Sequence, residues 1–346
     1  MSDFGRIKGF EDLWRPVARD RRVPDRAVLK PGRSGGGAGE AKARLGRLAA
    51  RAPEVMVKIT GRTRDGDHLK AHLEYIARDG ALTLEGRDGE RLQGLDEIRE
   101  RGSDWTADDI KKRADSSLSI SVMLSMPAGT PPGRVRDAAR AFAAEQFGDR
   151  HDYVFALHTD VDHPHVHIAV RTLGEGGQRL NPRKADLEAW RQSFARHLRN
   201  RDVEAEATPR RARGIVRKPE RMPVRKLRER HERDPQHHPR PDRLASAERE
   251  AQRIAGGERL DRPWEGRILR QQRAVRAAYQ ATAETLAASG DPADRTLGAQ
   301  VAAFVRSMPP IATRRNDLVR QAKAERGRET EPVTPPTDRP RPDRRR

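Results

Sequence analysis

The stretch HTDVDHPHVHIAVR, His158 to Arg171, decides how this chain is read. It holds four of the eleven histidines: His158, His163, His165 and His167. The apolar residues Val166 and Ile168 alternate with His165 and His167, and the run continues through Ala169 and Val170. Alternation with a period of two marks a β-strand. Side chains two apart on a strand share a face, so His165 and His167 point the same way. His158 closes a second strand-like run, Tyr153-Val-Phe-Ala-Leu157. A turn over Thr159 to Pro164 would lay the two strands side by side and bring His158 to the same point. Three imidazoles with Asp160 and Asp162 close by fit a metal site, since imidazole nitrogen suits Mn, Zn, Fe and Ni. A lone histidine at a strand end reads as a solvated polar group. Five imidazole and carboxylate groups converging on one point are costly to order without a ligand.

Outward from that hairpin, the flanking sequence supplies the rest of one domain over residues 53–204. Residues 54–60 (EVMVKIT) alternate like a strand, with Val55, Val57 and Ile59 on one face. A polar loop carrying Arg62 and Arg64 follows, and Asp67 is a candidate N-cap for a helix over 68–80. Leu69, Leu73 and Ile76 recur there at helical spacing, and Gly80 is placed to end the helix. Asp88-Gly89 reads as the turn of a short hairpin, and 94–116 as partly helical. Residues 117–126 (SLSISVMLSM) form a long alternating strand closed by Pro127. Pro131-Pro132 lead into a helix ending near Gly148, and a further helix runs from Lys184 to Arg199. Runs of this order predict an α+β fold: a central antiparallel β-sheet covered by helices.

The remainder reads as basic extensions, disordered or helical in part. Only 34% of the chain is apolar and 36% is charged, too little to give all 346 residues one core. The predicted segments are a flexible basic arm over 1–52 and a basic linker over 205–245. A helical region over 246–322 and a disordered Pro/Arg-rich tail over 323–346 follow. The net charge of +19 calls for an anionic polymer as partner, nucleic acid first. No apolar run approaches the roughly 18 residues that span a bilayer, so no membrane insertion is expected. There is no secretory signal at the N-terminus. The absence of cysteine excludes disulfides and thiolate metal sites and fits a cytoplasmic protein.

A cation held by imidazoles beside a basic surface makes a phosphodiester the natural substrate. The nucleophile is then either water or a tyrosine, which would conserve the bond energy in a phosphotyrosine link. Of the three tyrosines, Tyr153 lies in an apolar strand and Tyr279 lies outside the predicted domain. Tyr75 sits near a helix end between Glu74 and Arg78, where an amphipathic core-edge residue is the plainer reading.

Three motifs carry a family resemblance. HTDVDHPHVH resembles the third motif of conjugative relaxases of the HUH endonuclease class, in the branch of the plasmid mobilisation relaxases and the T-DNA border endonuclease. HLEYIARDGAL, His72 to Leu82, resembles that branch's first motif, and LSMPAGTPP, Leu124 to Pro132, is similar to its second. The resemblance implies that Tyr75 attacks one phosphate at an origin of transfer, stays bonded to the 5′ phosphate and leaves a free 3′ hydroxyl. It implies that His158, His165 and His167 hold Mg²⁺ or Mn²⁺. Asp162, or secondarily Asp160, would orient a histidine or take the phenol proton, and Ser125 would contact the DNA near the nick. His163 precedes Pro164 in the turn and stays outside the metal set. The implied partners are single-stranded DNA, a type IV coupling protein and an accessory DNA-binding protein. Arg339, Arg341, Arg344, Arg345 and Arg346 are candidate secretion-signal residues, and the chain would be translocated from the cytoplasm to a recipient cell with its DNA. A rolling-circle initiator or transposase of the same class is the rival enzyme reading. A non-catalytic basic DNA-binding module is the rival outside enzymes. No GxxxxGK[ST] phosphate loop is present to suggest a helicase.

Overall fold

A computed structural model describes residues 38–109, 116–216, 220, 222–260 and 263–329. The chain divides into two compact units, one of residues 34–209 with 290–304, the other of 210–289 and the flanking terminal segments.

The first unit opens with α1 (Ala38–Ala49), β1 (Met56–Thr63), α2 (Gly66–Ile76), β2 (Leu84–Gly86), β3 (Arg91–Leu92) and α3 (Gly94–Ala107). It continues with β4 (Ser119–Ser125), α4 (Pro132–Phe147), β5 (Tyr153–His158), β6 (His165–Arg171) and α5 (Lys184–Arg199). The six strands form one sheet in the order β1-β4-β6-β5-β2-β3, every pair antiparallel. This is the α+β architecture that the alternating runs predicted.

Alternate residues of the same strands build two different faces. Val57, Ile120, Val122, Leu124, Phe155, Val166, Ile168 and Val170 point to one side, where Val135, Phe142 and Phe147 of α4 and Trp190, Phe194 and Leu198 of α5 close over them. On the other side, α2 and α3 bring Leu69, Leu73, Ile76, Ile98 and Trp105 onto Val154, Ala156 and Ala169. That second face also carries His165 and His167 of β6, opposite Ser125 and Met123 of β4 and opposite His158 and Ala156 of β5.

The unit is larger than the 53–204 span read from sequence. Leu45 and Leu48 of α1 are fully buried, so residues 38–49 of the expected flexible arm are a packed helix. Glu206, with no exposed surface, receives Arg47 Nε at 2.7 Å and Arg44 Nε at 3.3 Å, both from α1. Removing α1 would leave that carboxylate buried without its cations, a costly state.

In the second unit, α6 (Met222–Arg233), α7 (Asp242–Ala255) and α8 (Pro263–Ala287) lie where a linker and a helical region were expected. α9 (Pro292–Arg306) belongs mainly to the first unit, where Lys42 Nζ meets Asp294 at 2.7 Å. α10 (Arg314–Glu329) belongs to the second and runs seven residues into the segment expected as a disordered tail, 323 to 329. Within the second unit Arg315 bridges Glu265 at 2.6 Å and Glu250 at 3.1 Å, and Tyr279 Oη donates to the Ala212 carbonyl at 3.0 Å. The sparse apolar content of 205–245 hid α6, whose helix is carried by i,i+4 pairs such as Arg225–Glu229 and Arg228–Glu232. The rest of the arm and tail, with the five candidate secretion arginines, lies outside the described residues. No helix among the described residues is long and apolar enough to cross a membrane.

Candidate active site

The β5–β6 hairpin sets three imidazoles in one cluster. His158 and His165 are direct cross-strand partners, and His167 follows on the same face. Ring centroids lie 5.2 Å apart for His158–His165, 4.7 Å for His158–His167 and 5.2 Å for His165–His167. One ring nitrogen from each lies within 4.8 Å of the other two, a spacing suited to sharing one cation.

Hydrogen bonds fix which nitrogen of His158 and of His165 keeps a free lone pair. His158 Nε2 donates to the Ile76 carbonyl at 2.7 Å, which leaves Nδ1 with its lone pair. His165 Nδ1 donates to the His163 carbonyl at 3.0 Å, which leaves Nε2. The Nδ1 atoms of His158 and His167 are buried and have no hydrogen-bond partner. Buried ring nitrogens left orphaned in a tight group are what a bound cation would satisfy. Backbone carbonyls thus take the orienting role common beside metal-binding imidazoles. His163 contributes its carbonyl while its ring is exposed.

Burial favours the neutral form of His158 and His167. Desolvation, followed by the neighbouring charges of His158, His165, His72 and Arg78, pushes the His167 pKa down to about 3. Desolvation also lowers His158, partly opposed by its bond to Ile76. A neutral imidazole is the form that binds a cation.

Tyr75 stands on the last turn of α2. Its neighbours Leu69, Leu73 and Ile76 are buried, while Tyr75 itself is 53% exposed. Its ring meets His167 edge to face, at a centroid distance of 6.0 Å and an interplanar angle of 89°. The helix start differs from the sequence reading by two residues: Asp65, not Asp67, caps α2 by accepting the His68 N–H at 2.9 Å. Gly80 does follow the helix, and Arg78, Asp79 and Gly80 all take left-handed backbone, with φ of 51°, 53° and 85°.

The remaining candidates divide. Ser125 is buried on β4 directly opposite His165. Asp162 stands in the exposed β5–β6 turn and lines a cavity of about 460 Å³ with Gly129, Thr130 and Asp160. It makes no hydrogen bond or ion pair with a site histidine among the described residues. Asp160 is bonded instead to Arg78, whose guanidinium carbon lies 5.5 Å from the Tyr75 ring centroid. Sequence reading also passed over His72. Its Nε2 lies 3.0 Å from Ser121 Oγ, which in turn accepts from Thr60 Oγ1 at 2.7 Å. The available signal was the spacing of His72 and Tyr75, three residues apart on one side of α2.

Comparison with known proteins falls on the same region. Residues 85–202 match the family described as "Relaxase: MobA/VirD2-like, nuclease domain". The chain is similar to the T-DNA border endonuclease VirD2 of Rhizobium radiobacter, 31% identical over 188 residues, 48% of this chain and 44% of that protein. It is also similar to a 43 kDa relaxation protein of Salmonella typhimurium, 27% identical over 109 residues, 28% of this chain and 29% of that protein. A solved structure described as "Molecular Basis of Vancomycin Resistance Transfer in Staphylococcus aureus" aligns with a TM-score of 0.31 and 14% identity. It covers 46% of this chain and 99% of the other, and the score is too low to argue from. The chain spans less than half the length of the curated relatives it matches. Ser125, His158, Asp162, His165 and His167 fall inside the matched relaxase segment, and Tyr75 precedes it.

Proposed function

We propose that this protein is a DNA relaxase that cuts one strand through Tyr75 and remains joined to the 5′ phosphate. The observation that carries the reading is the Tyr75 ring set edge to face with His167, beside a triad of imidazoles close enough to share one cation. His158, His165 and His167 would hold Mg²⁺ or Mn²⁺, which when bound would offset negative charge on a phosphoryl oxygen. The Tyr75 hydroxyl oxygen attacks the phosphorus. The new O–P bond forms as the bond to the 3′ oxygen breaks, and that oxygen takes up a proton to become the free 3′ hydroxyl. The phenol proton passes through water at the half-exposed ring to Asp162, a carboxylate of the turn that forms no ion pair among the described residues. Ser125, beside His165, contacts the strand near the nick.

The exchange conserves one phosphodiester for another, so a 3′ hydroxyl attacking the phosphotyrosine rejoins the strand. The substrate is single-stranded at an origin of transfer, and the excess of cations supplies affinity that weakens with salt. Conjugative transfer, with delivery by a type IV coupling protein, help from an accessory DNA-binding protein and passage from the cytoplasm into a recipient cell, completes the reading. Similarity to VirD2 supports it.

The test uses the full chain with Mn²⁺ or Mg²⁺ and single-stranded oligonucleotides tiling the DNA around its coding sequence. The expected result is a protein–DNA adduct stable in SDS, abolished by Tyr75→Phe and weakened by His165→Ala. An adduct that survives Tyr75→Phe would reassign the nucleophile. No adduct with any oligonucleotide would favour a non-catalytic DNA-binding protein.

A further inference from the structure

We infer that Arg78, latched by Asp160, is the positioning residue of Tyr75. It holds the phenol ring over His167 so that the hydroxyl meets the scissile phosphate in one orientation. The inference rests on the reading of Tyr75 as nucleophile.

Tyr75 needs such a device because it is 53% exposed at the end of a helix. A half-exposed ring samples several rotamers unless something restrains it. Among the described residues the ring has one aromatic contact, His167 edge to face at 6.0 Å, and one cation contact, the Arg78 guanidinium at 5.5 Å. A guanidinium within about 6 Å of a ring is attracted to its face. Arg78 is itself restrained at both ends. Its side chain is ion-paired with Asp160, two residues beyond the metal-site residue His158. Its backbone is held in the left-handed region at φ 51°, where its N–H donates to the Tyr75 carbonyl at 3.2 Å. The following Asp79 N–H donates to Glu74 O at 2.9 Å. A non-glycine residue kept in this conformation next to a reacting group points from strain to function.

The latch has a counterpart. On the other side of Tyr75, the Ile76 carbonyl accepts the bond from His158 Nε2 at 2.7 Å. Two links therefore join the end of α2 to the β5–β6 hairpin: Ile76 to His158, and Arg78 to Asp160. The first ties the backbone of the tyrosine helix to the metal site. The second ties the ring. With both in place, nucleophile and imidazoles move as one body, which near-attack geometry requires.

The test uses the full chain with Arg78→Lys, Arg78→Ala and Asp160→Asn, the last leaving the backbone after α2 untouched. The first readout needs no DNA. With ¹³C-labelled tyrosine the chain gives signals from three rings, and Tyr75 is identified by its loss in Tyr75→Phe. The Tyr75 ring signal should move toward the free-tyrosine position in Arg78→Ala and Asp160→Asn, and part-way in Arg78→Lys. The second readout is the rate of adduct formation on the oligonucleotide that the wild type cuts. Here kcat should fall by about 10- to 100-fold in Arg78→Ala, with KM changed much less. An unmoved Tyr75 signal in both Arg78→Ala and Asp160→Asn would overturn the inference. A raised KM with unchanged kcat would also overturn it, making Arg78 a DNA contact. If Tyr75→Phe keeps the adduct, the nucleophile reading fails on its own, and the ring signal still judges the latch.

Discussion

The two faces of the central sheet are made by the same strands and do opposite work. On one, Val122, Leu124, Val166 and Ile168 meet the aromatic side chains of α4 and α5 in a dry core. On the other lie the intervening residues Met123, Ser125, His165 and His167, the last of them against the half-exposed ring of Tyr75. A period of two lets one strand hold the fold with its odd positions and the chemistry with its even ones, or the reverse. The dry face lends its register to the face that carries the histidines: His165 stands opposite His158 because β5 and β6 are locked by the core behind them.

The largest effect should separate the faces most sharply. Phe142→Ala empties a buried ring site among Phe147, Trp190 and Phe194 and should cost about 3–5 kcal/mol in urea unfolding. His165→Ala, on the partly exposed face, should cost less than about 1 kcal/mol. Equal losses would erase the distinction. Next comes metal. Mn²⁺ at about a hundred times its dissociation constant should stabilise the wild type by about 2.7 kcal/mol in thermal unfolding, and His167→Ala should lose that gain. A gain retained in His167→Ala would move the cation elsewhere.

The smallest effect is a pH dependence to which the buried histidines of the site contribute, beside the buried His151 elsewhere in the unit. Burial lowers the pKa of His72, His158 and His167 below the unfolded value of about 6.5. The unfolded chain therefore binds more protons than the folded chain below that pH. Stability from these rings is complete above about pH 6.5 and is lost as pH falls toward their folded values. Unfolding in chelator between pH 7 and 5, above the carboxylate range, should show this decline. A Phe142→Ala chain should show the same slope, because its face holds none of these groups. A flat profile would mean that the rings protonate freely.

The alternation over 117–126 and 158–171 was enough to read the sheet, its buried parity and the shared face of His165 and His167. Pro132 and the turn at Asp88-Gly89 marked their elements correctly because their backbone preferences are local. What stayed hidden depends on contacts distant in sequence. Residues 38–49 looked like an arm because Leu45 and Leu48 gain their burial only once the domain exists to cover them. Glu206 pairs with Arg44 and Arg47 across about 160 residues, and no local pattern announces that. In the site, the link between Arg78 and Asp160 spans 82 residues, so the carboxylate that pairs with Arg78 could not be chosen by spacing. The carbonyls that orient His158 and His165 belong to the backbone and leave no trace in residue type.

The central claim is that the helix-borne phenol and the three imidazoles form one reaction centre. Peptide mass spectrometry of the nuclease-trimmed adduct tests it most directly. A nucleotide phosphate is expected on the peptide containing Tyr75 and on no other. Phosphate found on Tyr153, Tyr279, a serine or a histidine, with Tyr75 unmodified, would contradict it.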